Sequence, residues 1–106
     1  MKRLFDQGTP APLGNHLRNH VVGTAYEKQW SNLKNGVLLT SAEADGFDAL
    51  ITTDQNLRYQ QNLTTRKISV VVLLTTSWPR IKCHVELVVQ AIDRIHPGSY
   101  HEIPFP

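Results

Sequence analysis

The sequence has only one cysteine, Cys83, and therefore cannot form an internal disulfide bond. A chain without disulfides is typical of a reducing compartment, so we expect a cytoplasmic protein. The longest uninterrupted apolar run, Val70 to Leu74, is far shorter than the ~20 residues that a membrane-spanning helix needs. The N-terminus also lacks the apolar segment of a secretory signal. These absences predict a protein without a membrane partner.

Basic residues outnumber acidic residues only slightly. Eleven Lys and Arg residues stand against nine Asp and Glu residues, and the basic residues are scattered instead of forming a block. This balance permits an anionic partner such as RNA without requiring one. The length of 106 residues suffices for one hydrophobic core but not for two, so we expect a single domain over residues 1–106.

Short hydrophobic runs bounded by polar residues predict the strands. They are Arg3 to Phe5, Val21 to Val22, Ala49 to Ile51, Ile68 to Leu74 and Tyr100 to Ile103. The run Ile68 to Leu74 has little alternation, which is typical of a central strand that helices cover on both faces of a parallel sheet.

Helical patterns lie between these runs. Thr9 is predicted to cap a first helix, and Asn35 is predicted to cap a second helix that Gly46 ends. A weaker pattern predicts a helix over 56–65, and Pro79 begins a final helix with a regular apolar stripe. Alternating strands and helices predict an α/β fold, a three-layer α/β/α sandwich with a mainly parallel sheet of four to five strands.

Two aspartates follow predicted strands. Asp6 directly follows the first strand, and Asp54 follows the strand that begins at Ala49. Parallel strands point their carboxyl ends to the same edge of a sheet, so we expect the two carboxylates to converge if their strands are close. Two close carboxylates repel each other unless a cation or a proton lies between them. A divalent ion such as Mg²⁺ or Mn²⁺ suits this site and supplies a water for phosphodiester hydrolysis.

Simpler roles for these residues stay open. Asp54 could cap the helix after it, and Asp6 could stabilise the turn after it, which are commoner roles for aspartate than metal binding. Thr52 and Thr53 could orient Asp54 or a water. Among the other acids, Glu43 is the best candidate for a further ligand, while the five histidines lack the spacing of a zinc site.

Aromatic and basic side chains offer contacts to a single-stranded nucleic acid. Trp30 and Trp78 could stack on bases, and Arg58, Arg66 and Lys67 could hold phosphates. Packing at the rim of the core is the commoner role of a tryptophan.

The segments Leu4 to Pro10, Gly46 to Asp54 and Val70 to Leu74 resemble the small PIN-like domain family, mostly uncharacterised bacterial proteins. The resemblance implies a PIN-like fold and a Mg²⁺- or Mn²⁺-dependent ribonuclease that cleaves single-stranded RNA. It also implies a relative of the toxins of toxin–antitoxin pairs, with an antitoxin-like protein partner. In this family pattern, Asp6 and Asp54 match the catalytic, metal-binding acids.

The chain departs from the family pattern at two positions. Asn35 stands where related domains commonly carry an acid at the start of the middle helix, and Asn56 stands where a second acid follows Asp54. The metal-binding residues would then be Asp6, Asp54, Asn35 and Asn56, with Glu43 replacing a missing ligand. Fewer carboxylates weaken metal binding because each supplies charge. A degenerate, non-catalytic PIN-like module that acts through a protein partner or as a homodimer is therefore an alternative.

A phosphoacceptor receiver domain would also place acids after its first and third strands. It requires an acidic pair near Asp6 and a late Lys-Pro, whereas Gln7 follows Asp6 and the sequence has no Lys-Pro. The receiver interpretation rests on fold analogy alone.

Overall fold

The structure, a computed structural model, describes residues 2–18, 20–63 and 66–105 and contains a sheet of five parallel strands. They are β1 (Lys2–Phe5), β2 (Val21–Thr24), β3 (Ala49–Thr52), β4 (Ser69–Leu73) and β5 (Tyr100–Ile103). Their order across the sheet is β2-β1-β3-β4-β5. The chain therefore moves to one side of β1 and then to the other, and the order reverses between β1 and β3.

Helices connect the strands. They are a 3₁₀ helix (Ala11–His16), α1 (Asn35–Ala44), α2 (Leu57–Gln60), α3 (Trp78–Cys83) and α4 (Val85–Asp93). The predicted single final helix is wrong in one respect, because His84 leaves the helical conformation with φ −126° and divides it into α3 and α4. None of the helices among the described residues is long and apolar enough to cross a membrane.

The predicted helix over 56–65 is also wrong in its length. Only the single turn α2 forms, because Gln61 takes an extended conformation with φ −130° and ψ 140°. Thr64 and Thr65 lie outside the described residues. The shorter helix agrees with the weak apolar pattern of this segment, in which Leu57 is fully buried.

Side chains of the strands alternate between two faces, so the hydrophobic core forms one layer on each face of the same sheet. One layer joins strand residues Phe5, Ile51, Val71 and Leu73 to helix residues Leu13, Ile81, Val88 and Ile92. The other joins strand residues Leu4, Leu50, Val70 and Val72 to helix residues Leu38, Leu39, Ala42 and Leu57. Helices thus cover both faces, which confirms the predicted α/β fold with a buried parallel sheet.

Gly46 ends α1 as predicted. Its φ of +85° lies in the left-handed region that favours glycine. The N–H of Gly46 donates to Glu43 O at 3.1 Å, and the N–H of Phe47 donates to Ala42 O at 2.9 Å. This pair of hydrogen bonds is the Schellman motif and turns the chain directly into β3.

The two predicted N-caps are wrong. Lys34 precedes α1 without a side-chain cap, and Asn35 is the first residue of the helix. Pro10 precedes the 3₁₀ helix, again without a side-chain cap, so Thr9 does not cap it. The side chains of Thr9 and Asn35 instead donate hydrogen bonds to Ile51 in β3 and to Asp54 after β3.

Candidate functional site

Asp6 and Asp54 lie at the carboxyl edge of the sheet, where the strand order reverses. Phe5 and Ile51 are partners in the register of β1 and β3, and the N–H of Asp6 donates to Ile51 O at 3.2 Å. Asp54 comes two residues after the end of β3. Ligands of open parallel sheets bind at such reversal points.

Thr52 joins the two aspartates. Its side chain is fully buried. The Thr52 hydroxyl donates to Asp6 Oδ2 and accepts a hydrogen bond from the N–H of Asp54 at 3.1 Å. One buried hydroxyl therefore fixes the Asp6 carboxylate relative to the backbone of Asp54.

Asp6 is held by neutral hydrogen-bond donors. Thr9 Oγ1 lies 2.8 Å from Asp6 Oδ1 and 2.7 Å from Ile51 O, so its single proton is shared between the two acceptors. Burial raises the pKa of Asp6, although hydrogen bonds from Thr52, Thr9 and the N–H of Gly8 oppose the rise. Ionisation of Asp6 is therefore less favourable than that of an ordinary aspartate, and a nearby positive charge would favour it.

Asp54 is oriented by two asparagines. Asn35 Nδ2 donates to Asp54 Oδ2 at 2.9 Å, and the N–H of Asn56 donates to Asp54 Oδ1 at 3.0 Å. The first helical turn of α1 thus brings Asn35 to the site. Asn56 contacts Asp54 through its backbone in an Asx-turn. Asp54 is not the N-cap of α2, because that position belongs to Asn56.

Glu43 lies at the other end of α1. It is eight residues after Asn35 in the same helix, which places it about 12 Å away along the helix axis. Its Oε1 accepts from Arg66 Nη1 at 2.8 Å, and its Oε2 accepts from the N–H of Lys67 at 2.9 Å. Burial alone would raise the pKa of Glu43, but these hydrogen bonds lower it overall. The structure does not bring Glu43 to the two aspartates.

The donors for a metal are therefore few. Across residues 2–18, 20–63 and 66–105, no three His, Cys, Asp or Glu side chains are grouped so as to hold a metal ion. The hydrogen bonds of the carboxyl edge connect the Asp6 carboxylate, through Thr52, with Asp54 and the amide of Asn35.

A cavity of about 300 Å³ opens beside Asp6. Its lining residues are Asp6, Gln7, Thr9, Ala11, Thr24 and Tyr26, and Asp54 is not among them. The sequence does not predict Thr24 and Tyr26 as site residues, because the segment after Val22 has no periodic pattern. Their position after a strand, at the same edge as Asp6, is the signal that could have identified them.

The two tryptophans that were predicted to stack on bases lie against other aromatic rings of the protein. Trp30 lies edge-on to Phe47, with 6.3 Å between ring centroids, and Trp78 lies 5.9 Å from the ring of His16. Both tryptophans flank the core. Arg66 is bound to Glu43, and the side chain of Arg58 lies outside the described part of the chain.

Comparison with known proteins identifies no relative. No protein-family model matches the chain, and no curated protein and no solved structure matches it. The PIN-like resemblance therefore stays a prediction.

Proposed function

We propose that the protein holds Mg²⁺ or Mn²⁺ with Asp6 and Asp54 and hydrolyses single-stranded RNA, as PIN-like ribonucleases do. One observation carries the proposal. The Thr52 hydroxyl links the carboxylate of Asp6 to the backbone N–H of Asp54 at the reversal point of the sheet, and neither acid contacts a cationic group among the side chains that the structure describes. Such a pair of acids favours a cation at the ligand-binding edge.

The donors fit a hard divalent ion. Mg²⁺ and Mn²⁺ prefer oxygen ligands, and one or two carboxylates with waters are common for Mg²⁺. When bound, such an ion supplies a water of lowered pKa and offsets the negative charge of the phosphodiester.

The residues around the pair have separate roles. Asp6 lines the cavity of about 300 Å³, so it is placed to hold the ion beside a substrate there. Asn35 and the N–H of Asn56 hold the orientation of the Asp54 carboxylate. Thr52 fixes the relative position of the two acids.

A non-catalytic binding module is the second candidate function. It is favoured by the hydrogen bonds of the four carboxylate oxygens, each of which accepts from Thr9, Thr52, Asn35 or Asn56. The edge is then stable without a metal. Such a module would act through a protein partner, for example an antitoxin-like protein, or as a homodimer.

Calorimetric titration with Mn²⁺, together with an RNA cleavage assay with and without EDTA, tests the two candidates. The wild type is compared with Asp54→Asn and with the control Glu86→Gln, an exposed acid in α4. We expect Asp54→Asn to lower cleavage more than about 100-fold, because even residues that only orient metal ligands change affinity by about 10- to 100-fold. Wild-type protein that gives neither heat nor metal-dependent cleavage would reject the nuclease and support the binding module.

A further inference from the structure

A second cavity of about 590 Å³ adjoins the Asp6 cavity, and the two share Gln7 and Tyr26. We call it the polar groove, and its lining residues are Gln7, Tyr26, Glu27, Gln29, Ser31 and Asn32. We infer that the polar groove binds one unpaired RNA base and prefers bases that carry an exocyclic amino group. The inference takes its ligand class from the proposed function.

The lining chemistry indicates a base. Gln7, Gln29 and Asn32 carry amides that both donate and accept hydrogen bonds, as the edges of unpaired bases do. None of the six lining residues is a lysine or an arginine. A site for phosphate would need such cations, so the groove suits the base and not the backbone.

Tyr26 supplies a stacking surface. Its side chain is 80% exposed, and it lies where the polar groove meets the Asp6 cavity. Single-stranded nucleic acids bind by stacking bases on such exposed aromatic rings. A base on Tyr26 would place the neighbouring phosphodiester towards the cavity of Asp6.

One buried polar atom in the groove has no partner in the part of the chain that the structure describes. Ser31 Oγ is buried, and no other atom of the described residues forms a hydrogen bond with it. The left-handed φ of 63° at Gln29 closes the turn beside the groove, where the N–H of Gln29 donates to Tyr26 O at 3.0 Å and the N–H of Trp30 donates to Ala25 O at 2.7 Å. The turn therefore fixes the shape of the groove, and an unsatisfied hydroxyl beside it is a partner for a ligand.

Glu27 determines the preference among bases. Its N–H donates to Thr24 Oγ1 at 3.0 Å, which anchors the start of the turn beside the groove. An ionised carboxylate only accepts hydrogen bonds. Adenine, cytosine and guanine offer an exocyclic amino group as donor, whereas uracil, like thymine, has a carbonyl where cytosine has its amino group. We therefore expect binding of oligo(C) and oligo(A) to exceed binding of oligo(U).

Fluorescence anisotropy with labelled oligo(A), oligo(C) and oligo(U) in EDTA measures this binding without cleavage. The variants are Tyr26→Ala and Glu27→Gln, and the control is Tyr59→Ala, a 72% exposed tyrosine that lines neither cavity. Tyr26→Ala is expected to weaken binding of all three oligomers at least about fivefold. Glu27→Gln is expected to reduce the preference over oligo(U). Thermal melting followed by circular dichroism establishes that each variant is folded.

The outcomes separate this inference from the proposed hydrolysis. Base binding that depends on Tyr26 and Glu27, in a protein that cleaves no RNA with Mn²⁺, would support the groove and reject the nuclease. Cleavage by a protein whose RNA affinity is the same in Tyr26→Ala and Tyr59→Ala would support the nuclease and overturn the groove. Absence of binding by any oligomer, or equal binding of oligo(C) and oligo(U), would also overturn the inference.

Discussion

The acidic residues at the two edges of the sheet differ in the groups that they contact. At the amino edge, Glu43 contacts Arg66 at 2.8 Å and Asp45 contacts Lys28 at 2.9 Å. At the carboxyl edge, the described contacts of Asp6 and Asp54 are with neutral hydroxyl, amide and backbone donors. These amino-edge acids thus have cationic partners within the protein, whereas Asp6 and Asp54 have none among the described side chains.

The direction of the pKa shift follows the same division. Burial raises the pKa of Asp6, and its hydrogen bonds are too weak to reverse the rise. Burial also opposes ionisation of Glu43, but the bonds from Arg66 and from the N–H groups of Lys67 and Ile68 outweigh it and lower the pKa. A buried carboxyl group with a raised pKa, such as that of Asp6, is typical of functional sites, whereas a carboxylate with a lowered pKa, such as that of Glu43, stabilises the folded protein.

Removing the Glu43 carboxylate should have the largest effect on the stability of the amino edge. Glu43→Ala removes the acceptor of the Lys67 N–H and one of the two described acceptors of Arg66 Nη1, which keeps its bond to Thr40 Oγ1 at 2.9 Å. We expect the free energy of unfolding to fall by about 2 kcal/mol. Urea denaturation measures this, with Glu86→Ala in the exposed first turn of α4 as control.

The Glu86→Ala control should lose no more than about 0.5 kcal/mol. Equal losses in the two variants would show that the Glu43 network contributes nothing beyond an exposed acid, and the contrast between the edges would fail.

Breaking the link between the aspartates should have a smaller effect. Thr52→Val keeps the shape of the buried side chain but removes the hydroxyl that joins Asp6 to the N–H of Asp54. We expect a loss of about 1 kcal/mol. The pKa of Asp6 should also rise further, because a hydrogen bond that lowers it is gone. Carboxyl NMR titration and urea denaturation measure the two effects.

Thr76→Val is the matched control, since Thr76 is exposed in the loop after β4. Its stability should change by less than about 0.5 kcal/mol. An unchanged titration of Asp6 in Thr52→Val would show that the hydroxyl does not act on this carboxylate.

The local pattern of the sequence predicted the strands and the edge at which Asp6 and Asp54 lie. Apolar runs between turns define buried parallel strands, and parallel direction brings their carboxyl ends to one edge. The position of Glu43 could also be predicted from the sequence, because a helix that connects parallel strands runs back across the sheet. Its C-terminal end lies at the amino edge.

Other features depend on contacts between distant residues. Thr9 and Asn35 have the chemistry of caps, but their side chains bind Ile51 and Asp54, which are 42 and 19 residues away. Local propensity cannot distinguish these uses of one side chain. The polar groove was missed because residues 26–32 form turns without periodicity, and only the folded chain brings Gln7 beside Tyr26.

The dependence of stability on pH is the finest test of the contrast between the edges. Folded protein binds the Asp6 proton more tightly than the unfolded chain does, because its pKa is raised. The Asp6 contribution therefore falls as pH rises from the ordinary aspartate value of about 4 through the raised pKa. The Glu43 contribution is fully present above the ordinary glutamate value of about 4.3 and is lost as pH falls through its lowered pKa.

Urea denaturation from about pH 3 to about pH 8 resolves these opposite slopes when the wild type is compared with Asp6→Asn and with Glu43→Gln. The advantage of wild type over Glu43→Gln should grow with pH, whereas its advantage over Asp6→Asn should shrink. Saturating Mn²⁺ at neutral pH should restore stability in the wild type and not in Asp6→Asn, because a cation offsets the charge that burial disfavours. Parallel slopes for the two variants would mean that Asp6 is as well compensated within the protein as Glu43, and the carboxyl edge would have no charge left for a metal to neutralise.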